Sequence, residues 1–411
     1  MPSNAQSNLL AKLLDLPGVL IKDYQFHEEI GIIIHIEGEQ KQACCPRCGL
    51  KSDRLHQNHW HLVKDLPTAN QSVYLRVNCR QFKCQKCQKP FSESLDYVGK
   101  NRNYTKRLAR RIIEEVLDSN IRSVARRNGL SEEEIQTMLK DLAQELLIEK
   151  PSQLRRLGID EIALVKGQGN YCAVLVDIDT GRLLAIVESR RLEDLRKVLQ
   201  DWGSEILERI EEVSIDLWKP YKILVQELMP NADVVADRFH VMKQVNEELD
   251  EQRKSEKREA EALKKKTQKT RRLAAIKESK YALLKNEKDL NEPQKHKLKE
   301  VKKMFPKLAT MHALKEELRE IFETAKNAEG LIKLLDWLEK SVANFPKASQ
   351  TIIRWFGEIV NYFDNRTTNG IVEGINNKLK LIKRAAYGFA NFDNFKLRSL
   401  LAFGYFNNFL A

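Results

Sequence analysis

Six cysteines lie within residues 44–87 of this 411-residue chain, and four of them form two Cys-x-x-Cys pairs. The pairs are Cys45 with Cys48 and Cys84 with Cys87. A two-residue spacer lets one turn direct two thiolates at a single ion, and two such turns complete a closed tetrahedral shell of four sulfurs. The cysteine total is seven, an odd number that does not suit a disulfide framework. The pattern therefore predicts a structural Zn²⁺ site.

The other potential ligands of this region are not assigned to the metal. The two pairs are 35 residues apart, which exceeds the roughly 15 to 20 residues usual in zinc sites of this type. Cys44 and Cys79 lack the paired spacing, and we interpret them as bystanders. With four sulfurs available, three histidines are expected at the surface or facing nucleic acid: His56, His59 and His61.

The charge balance indicates a polyanionic partner. The chain has 70 Lys+Arg and 58 Asp+Glu, a formal net charge of +12, and nucleic acid is the simplest partner for such an excess. Residues 251–303 contain 19 basic and nine acidic residues. This segment is predicted to be helical, and it suits either a phosphate-facing arm or a solvated helical hairpin.

The amino-acid sequence argues against insertion into a membrane. No apolar run approaches the ~18 to 20 residues needed to cross a bilayer. The first 20 residues lack the basic stretch and the uninterrupted apolar core of a signal peptide. We therefore expect a cytoplasmic protein.

Residues 104–147 carry apolar side chains at helical spacing. Gly129 provides a turn, Ser131 caps the following helix, and Glu134 completes a capping box. Two helices around a glycine-containing turn are typical of a helix-turn-helix, although ordinary helical hairpins share this pattern. Basic residues favour the DNA-binding interpretation because phosphate contacts require them. The expected DNA contacts here are Arg122, Arg126 and Arg127.

Residues 158–236 predict a mixed sheet covered by helices, and hence an α/β fold. Three antiparallel strands are followed by alternating helix and strand. Asp160 lies in the first strand, and Asp216 lies just after the fourth. Mg²⁺ binds through a few carboxylates plus substrate phosphate oxygens, and two such ions can assist displacement at phosphorus. The pattern alone does not select these acids over four others: Glu161, Asp177, Asp233 and Asp237.

A helix predicted near residues 371–384 supplies a third acid. Its apolar residues fall on one face: Ile371, Ile375, Leu379 and Ile382. Glu373 lies on the opposite face, with Asn376, Asn377, Lys380 and Arg384 within about 60° of it. An acid followed by amides and cations suits a helix that places a metal ligand beside a phosphate backbone. A solvated amphipathic helix has the same pattern.

The motifs together resemble the ISL3 family of bacterial insertion-sequence transposases, which use an Asp-Asp-Glu active site on a ribonuclease H-like fold. The resemblance runs from about Cys44 to Phe392 in the family's order. Besides the cysteine pairs, it is carried by Gly158–Glu161, Ser214–Tyr221, Asp237–Val241, Thr367–Gly374, Lys383–Gly388 and Asn391–Phe392.

The resemblance implies that Asp160, Asp216 and Glu373 are the catalytic, metal-binding acids. It implies two Mg²⁺ (or Mn²⁺) ions in addition to the structural Zn²⁺. The partners are then double-stranded DNA, as element ends and as target, and further copies of the chain in a dimeric or larger synaptic complex at the bacterial nucleoid. We expect additional DNA contacts from the acid-bearing helix at Asn377, Lys380 and Arg384.

The implied organisation is a ribonuclease H-like mixed sheet with a large all-helical insertion, preceded by a zinc-binding module and a helix-turn-helix. The expected boundaries are an N-terminal segment 1–38, the zinc-binding module 39–95, the helix-turn-helix domain 100–150, the first catalytic part 155–240, the basic helical insertion 241–350, and the second catalytic part 351–411.

The expected activity is binding of the terminal inverted repeats, metal-dependent phosphodiester hydrolysis and DNA strand transfer. The main alternative is a non-catalytic, sequence-specific DNA-binding regulator, in which the three acids could vary freely. A nuclease of the same fold would cut without joining. A basic structural protein would bind without sequence preference and without a metal.

Overall fold

A computed structural model describes residues 4–99, 101–147, 150–163, 171–389 and 391–404. The chain forms two compact units: Met1–Glu145 with Arg384–Phe389, and Leu146–Lys383 with Ala390–Ala411. No helix in the described ranges is long and apolar enough to cross a membrane.

The N-terminal unit begins with helix α1 (Asn4–Leu14) and a five-stranded sheet. In this sheet β1–β2–β6–β5 are adjacent in that order, and β7 pairs with the end of β6. The β2–β6 pair is parallel and the others are antiparallel. Its strands are β1 (Val19–His27), β2 (Gly31–Gly38), β5 (Leu55–Thr68), β6 (Gln71–Lys83) and β7 (Pro90–Ser92); β3 (Ala43–Cys44) and β4 (Lys51–Ser52) form a separate ribbon.

The alternation of side chains gives this sheet one apolar face. Ile34 and Ile36 of β2 pack with Val63, Leu75 and Val77 of the β5–β6 hairpin, and all five are buried. Strand periodicity therefore places the core on one side of the sheet.

Three helices complete this unit: α2 (Lys106–Leu117), α3 (Ile121–Asn128) and α4 (Glu132–Leu147). Gly129 ends α3 in the left-handed conformation, with φ of +56°, which suits glycine because it has no Cβ. The backbone N–H of Glu134 donates to Ser131 Oγ at 3.1 Å, and the N–H of Ser131 donates to Glu134 Oε2 at 2.7 Å. The predicted capping box is confirmed.

The second unit contains a mixed sheet in the order β10–β9–β8–β11–β12. Strands β8, β9 and β10 are antiparallel neighbours, whereas β8, β11 and β12 are parallel. The α/β prediction is confirmed. The elements are β8 (Arg156–Ala163), β9 (Tyr171–Asp177), β10 (Arg182–Val187), α5 (Leu192–Trp202), α6 (Ser204–Leu207), β11 (Glu212–Ile215), α7 (Lys219–Leu228) and β12 (Asp233–Ala236).

Helices follow the sheet from residue 238 onward. The helices between residues 238 and 365 share one apolar core with the sheet, in which Trp337 is fully buried and its Nε1 donates to the carbonyl of Leu314 at 2.7 Å. The helices are α8 (Arg238–Ala262), α9 (Lys266–Ile276), α10 (Lys280–Leu284), α11 (Glu292–Met304), α12 (Pro306–Thr324), α13 (Asn327–Ser341), α14 (Pro346–Arg354), α15 (Phe356–Val360), α16 (Tyr362–Asn365), α17 (Gly370–Ala385) and α18 (Phe392–Gly404).

Candidate active site and zinc centre

Two of the predicted acids come from neighbouring strands: Asp160 lies in β8, and Asp216 directly follows the last residue of β11. Parallel strands β8 and β11 pair Gly158 with Ser214, so Asp160 and Asp216 each lie two residues beyond that pair. Adjacent strands are about 4.8 Å apart, and side chains two residues apart point to the same face. The register therefore places the two carboxylates near each other, and besides burial and Glu161 the charge of Asp160 contributes to the raised pKa of Asp216.

Asp160 is held by two hydrogen bonds. Asn376 Nδ2 of α17 donates to its Oδ2 at 2.8 Å, and the backbone N–H of Glu161 donates to its Oδ1 at 2.7 Å. Burial raises the pKa of Asp160, whereas the nearby His240 opposes that rise. This carboxyl group is therefore fixed in place and disfavoured as an isolated anion.

Asp216 has fewer protein partners. Burial and the neighbouring Glu161 raise its pKa to about 6. Its Oδ1 is buried without a hydrogen-bond donor in the described part of the protein, as are Oδ1 of Asn369 and Oδ1 of Asn376. A buried oxygen without a donor is costly unless a cation or water satisfies it, so the local chemistry suits oxygen-seeking ions.

The third acid, Glu373, is exposed in the first turn of α17. It lines a cavity of about 790 Å³ together with Asp160, Asp237 and His240. Asp216 is not among the lining residues. The three acids also differ from a closed metal cluster, because within the described ranges only the four cysteines bring all their ligand atoms within 4.8 Å of one another.

Glu161, the first of the alternative acids, has partners of its own. The hydroxyl of Tyr221 donates to its Oε1 at 3.1 Å, and Arg190 Nη1 lies 3.7 Å from its Oε2. Glu161 therefore lines the cavity with both carboxylate oxygens near other side chains.

The other three alternative acids lie in different surroundings. Asp177 accepts from the Thr180 hydroxyl at 2.7 Å in the turn between β9 and β10. Asp237 precedes α8 and lies 3.2 Å from His240 Nδ1, which raises the pKa of that imidazole. Asp233 is exposed at the start of β12.

Helix α17 is rotated relative to the face predicted from sequence. Asn376, expected on the exposed stripe, is only 4% exposed, whereas Ile371, expected on the apolar face, is 44% exposed. The cause is the hydrogen bond from Asn376 to Asp160, which compensates for burying the amide. Three predicted DNA contacts do lie exposed on this helix: Asn377, Lys380 and Arg384.

The two cysteine pairs converge. Cys45, Cys48, Cys84 and Cys87 bring their sulfurs within 4.8 Å of one another. The N–H of Cys87 donates to Cys84 Sγ at 3.3 Å and lowers the pKa of that thiol to about 7. The neighbouring Cys48 thiol raises the pKa of Cys87 to about 12. Four thiols this close favour one tetrahedral Zn²⁺, which would hold all four as thiolates.

The wide spacing between the pairs has a structural explanation. Most of the intervening residues form the long hairpin of β5 and β6, whose ends return to the same place. Cys44 is exposed, and the Cys79 thiol donates to the carbonyl of Glu93 at 3.8 Å. Neither belongs to the four-sulfur group.

Strand β5 joins this hairpin to the helix-turn-helix. Lys64 Nζ donates to the carbonyls of Asn128 and Gly129 at 2.8 and 2.7 Å, at the C-terminal end of α3. The next residue, Asp65, is buried and accepts from the hydroxyl of Thr105, the N-cap of α2, at 2.7 Å. Arg107 Nε also donates to Asp65, at 2.8 Å. Lys64 and Asp65 carry no local sequence signal, because their partners lie about 40 to 65 residues away.

The basic residues predicted to contact DNA in this unit lie on α3. Arg122, Arg126 and Arg127 are exposed, and Arg127 also lies 3.6 Å from Glu115. The first turn of α4 instead carries three glutamates, so its charge disfavours phosphate at that end.

Comparison with known proteins gives three matches in chain order. A transposase model of the Asp-Asp-Glu type in the ISL3 family matches residues 157–399. The zinc finger of the IS204/IS1001/IS1096/IS1165 transposases matches residues 41–87, and the helix-turn-helix domain of the ISL3 transposases matches residues 93–143.

Individual relatives agree with these matches. The transposase of insertion sequence element IS1001 from Bordetella parapertussis is 28% identical over 402 residues, covering 96% of this chain and 98% of that protein. The transposase of IS1557 from Mycobacterium tuberculosis is 31% identical over 261 residues, covering 59% of this chain and 58% of that protein. The transposase match spans more than half of the chain, and the chain therefore belongs to the ISL3 family of Asp-Asp-Glu transposases, with a zinc-binding module and a helix-turn-helix DNA-binding domain.

Proposed function

We propose that this transposase binds the terminal inverted repeats of an insertion sequence, hydrolyses a phosphodiester at each end, and joins the freed 3′ ends to target DNA. The proposed catalytic acids are Asp160, Asp216 and Glu373. The observation that carries this assignment is the hydrogen bond between Asn376 and Asp160, which brings the helix of Glu373 to the strand of Asp160 beside one cavity.

The donor set suits hard divalent cations. Carboxylate oxygens of the three acids, with the donor-free Oδ1 atoms of Asn369 and Asn376 nearby, are the ligand type that Mg²⁺ or Mn²⁺ prefers. A pair of such ions, when bound, would activate the attacking oxygen and stabilise the leaving oxygen.

The protein's own residues position the reacting groups. Asn376 and the N–H of Glu161 fix Asp160. Asp237 holds His240 at the cavity wall, where a protonated imidazole would favour the ionised form of Asp160. We assign phosphate contacts to Asn377, Lys380 and Arg384 on the exposed side of α17. Hydrolysis and strand transfer differ only in the nucleophile, so one site can serve both.

The N-terminal unit would select the DNA. The exposed arginines of α3 suit phosphate contacts that set register, while base edges in the major groove supply sequence selectivity. Joining two element ends requires at least two copies of the chain in a synaptic complex at the bacterial nucleoid.

The test is a cleavage and strand-transfer assay on DNA carrying paired inverted repeats, with Mg²⁺. Glu373→Gln should abolish products while end binding persists. The matched control is Glu339→Gln, an exposed glutamate of α13 that does not line the cavity.

Each rival predicts a different result. Sequence-specific end binding without metal-dependent products from the native chain would indicate the regulator. Cleavage without joined products would indicate a nuclease. Binding without sequence preference and with a steep salt dependence would indicate a basic structural protein.

A further inference from the structure

Phe239 is an exposed aromatic residue in the cavity lined by two of the proposed acids, Asp160 and Glu373. Its side chain is 54% exposed, and it lines the cavity with Asp160 and Glu373. The other residues of its motif have protein partners: Arg238 donates to the Tyr362 hydroxyl at 3.3 Å, and His240 lies 3.2 Å from Asp237. Within Asp237–His240, intramolecular polar contacts therefore account for every side chain except that of Phe239.

The ring is presented from a rigid element. Phe239 lies in the first turn of α8. Its ring meets the His240 imidazole edge to face, with centroids 5.5 Å apart and an interplanar angle of 89°. His240 is in turn fixed by Asp237. A pre-positioned aromatic face beside a cleft is the arrangement that proteins use to stack an unpaired nucleobase.

We propose that Phe239 stacks on a nucleobase next to the scissile phosphate, after that base has left the duplex stack. This inference rests on the proposed function. Asp160 is largely buried at the cavity wall, and in the proposed arrangement a strand leaves the regular duplex to bring its phosphate within reach of that carboxylate. Unstacking a base is unfavourable, and an aromatic ring that replaces the lost neighbour offsets that penalty.

The same cavity offers a contact for the backbone of that strand. Lys380 lines it from α17, the helix that carries Glu373. At about 790 Å³ the cavity lies within the range of small-ligand pockets. One displaced nucleotide, with its base on Phe239 and its phosphate toward Lys380, matches this combination of an apolar face and a cation.

The first experiment measures base stacking without cleavage. Duplexes carrying the element's own inverted repeat have 2-aminopurine at single positions flanking the scissile phosphate, and Ca²⁺ replaces Mg²⁺. We expect the fluorescence of the bound duplex to differ between the native chain and Phe239→Ala at one flanking position. Phe239→Tyr should behave like the native chain.

The second experiment measures cleavage with Mg²⁺. Phe239→Ala should lose on the order of 10- to 100-fold in rate on intact DNA, the range expected for loss of one stacked base. An abasic site at the same position should restore most of that rate, because no base then has to be unstacked. The control is Ile353→Ala, an apolar residue of α14 that is 57% exposed and outside the cavity lining.

The two proposals fail separately. A Phe239→Ala chain that cleaves intact DNA at the native rate, or whose defect no abasic substitution relieves, overturns the stacking role. The same holds if no 2-aminopurine position distinguishes the two chains. Absence of metal-dependent cleavage by the native chain overturns the proposed function, while the fluorescence comparison still decides the role of Phe239.

Discussion

Asn376 Nδ2 donates to Asp160 Oδ2 at 2.8 Å, linking two residues 216 positions apart in the chain. The amide is 4% exposed, and its other polar atom, Oδ1, has no donor in the described part of the protein. The contact joins α17 to the central strand β8. A neutral donor at this position supports the anionic form of Asp160, which burial alone disfavours.

We predict that Asn376→Ala lowers metal-dependent cleavage about 10- to 100-fold, because Asp160 loses a hydrogen bond to its charged form. End binding should stay near the native value, since Asn376 is buried and is not itself one of the proposed DNA contacts. The measurement pairs single-turnover cleavage with a binding titration. Gln200→Ala, an exposed amide on α5, is the control. A native cleavage rate in the Asn376 variant would contradict the prediction.

Asp65→Asn should destabilise the N-terminal unit by about 2 to 4 kcal/mol. Asp65 is 1% exposed, and removing its charge leaves the Arg107 guanidinium with a weakened partner. Urea unfolding of the whole chain, followed by circular dichroism, measures this loss. Asp53→Asn at an exposed position should change the free energy of unfolding by less than about 0.5 kcal/mol. Equal effects at the two positions would refute a special role for Asp65.

Lys64→Met should weaken end binding more than it weakens the fold. The lysine holds the C-terminal carbonyls of α3, so its loss frees the helix that carries Arg122 and Arg126. We expect a loss of stability of about 1 kcal/mol and a several-fold higher Kd for inverted-repeat DNA. Lys51→Met, at an exposed lysine of β4, is the matched control. An unchanged Kd for inverted-repeat DNA would show that the hydrogen bonds of Lys64 do not position α3.

Removal of zinc should unfold the cysteine module. One Zn²⁺ per chain is expected by elemental analysis, and a strong chelator or Cys48→Ser should release it and abolish end binding, because a four-sulfur site contributes directly to folding. Cys44→Ser should retain the metal, since that residue is exposed and outside the cluster. Loss of metal from the Cys44 variant would mean that the ligand set is different.

Acid should weaken the helical region through His312. This imidazole is fully buried, and both ring nitrogens lack hydrogen-bond partners among the described residues. Burial, with Lys315 and Lys302 nearby, lowers its pKa to about 3. Between about pH 6.5 and pH 3 the unfolded chain binds a proton that the folded chain does not, so the free energy of unfolding falls as the pH falls.

The decrease attributable to His312 is at most about 1.4 kcal/mol per pH unit below 6.5. His312→Leu should therefore flatten the acid side of the stability profile, measured as the urea midpoint at pH 7.5 and at pH 5.0. His296→Leu, at an exposed histidine, should leave the slope unchanged. Parallel profiles for the native chain and the His312 variant would contradict this account.

The sequence predicted the structure best where the spacing between residues allows only one local arrangement. The two cysteine pairs predicted a four-sulfur group, and the hairpin of β5 and β6 explains why residues so far apart can meet. The Ser131–Glu134 capping box was equally predictable from sequence, because its two residues lie only three positions apart. The mixed sheet followed from the sequence of apolar runs.

Polar contacts between residues far apart in the chain could not be predicted from sequence spacing. Helical periodicity placed Asn376 among exposed residues, and only its partner 216 residues away makes burial favourable. Strand β1 was not predicted, because its alternation of polar and apolar residues is imperfect and its last three residues are all exposed. The choice of Asp160, Asp216 and Glu373 over the neighbouring acids remains a prediction, supported by the other contacts that occupy Glu161 and Asp177.

The order of the DNA-binding and catalytic regions along the chain determines the order in which they are synthesised. Domains generally fold as the ribosome releases them, from the N-terminus onward. The cysteine module and the helix-turn-helix are complete by residue 147, whereas Glu373 and Asn376 follow the helices of residues 238–365. A growing chain therefore completes its helix-turn-helix while its proposed catalytic acids, and the proposed DNA contacts of α17, are still incomplete. Under the proposed function, a product that stops before α17 would contain the helix-turn-helix and lack Glu373, so we expect it to bind an element end without cutting it.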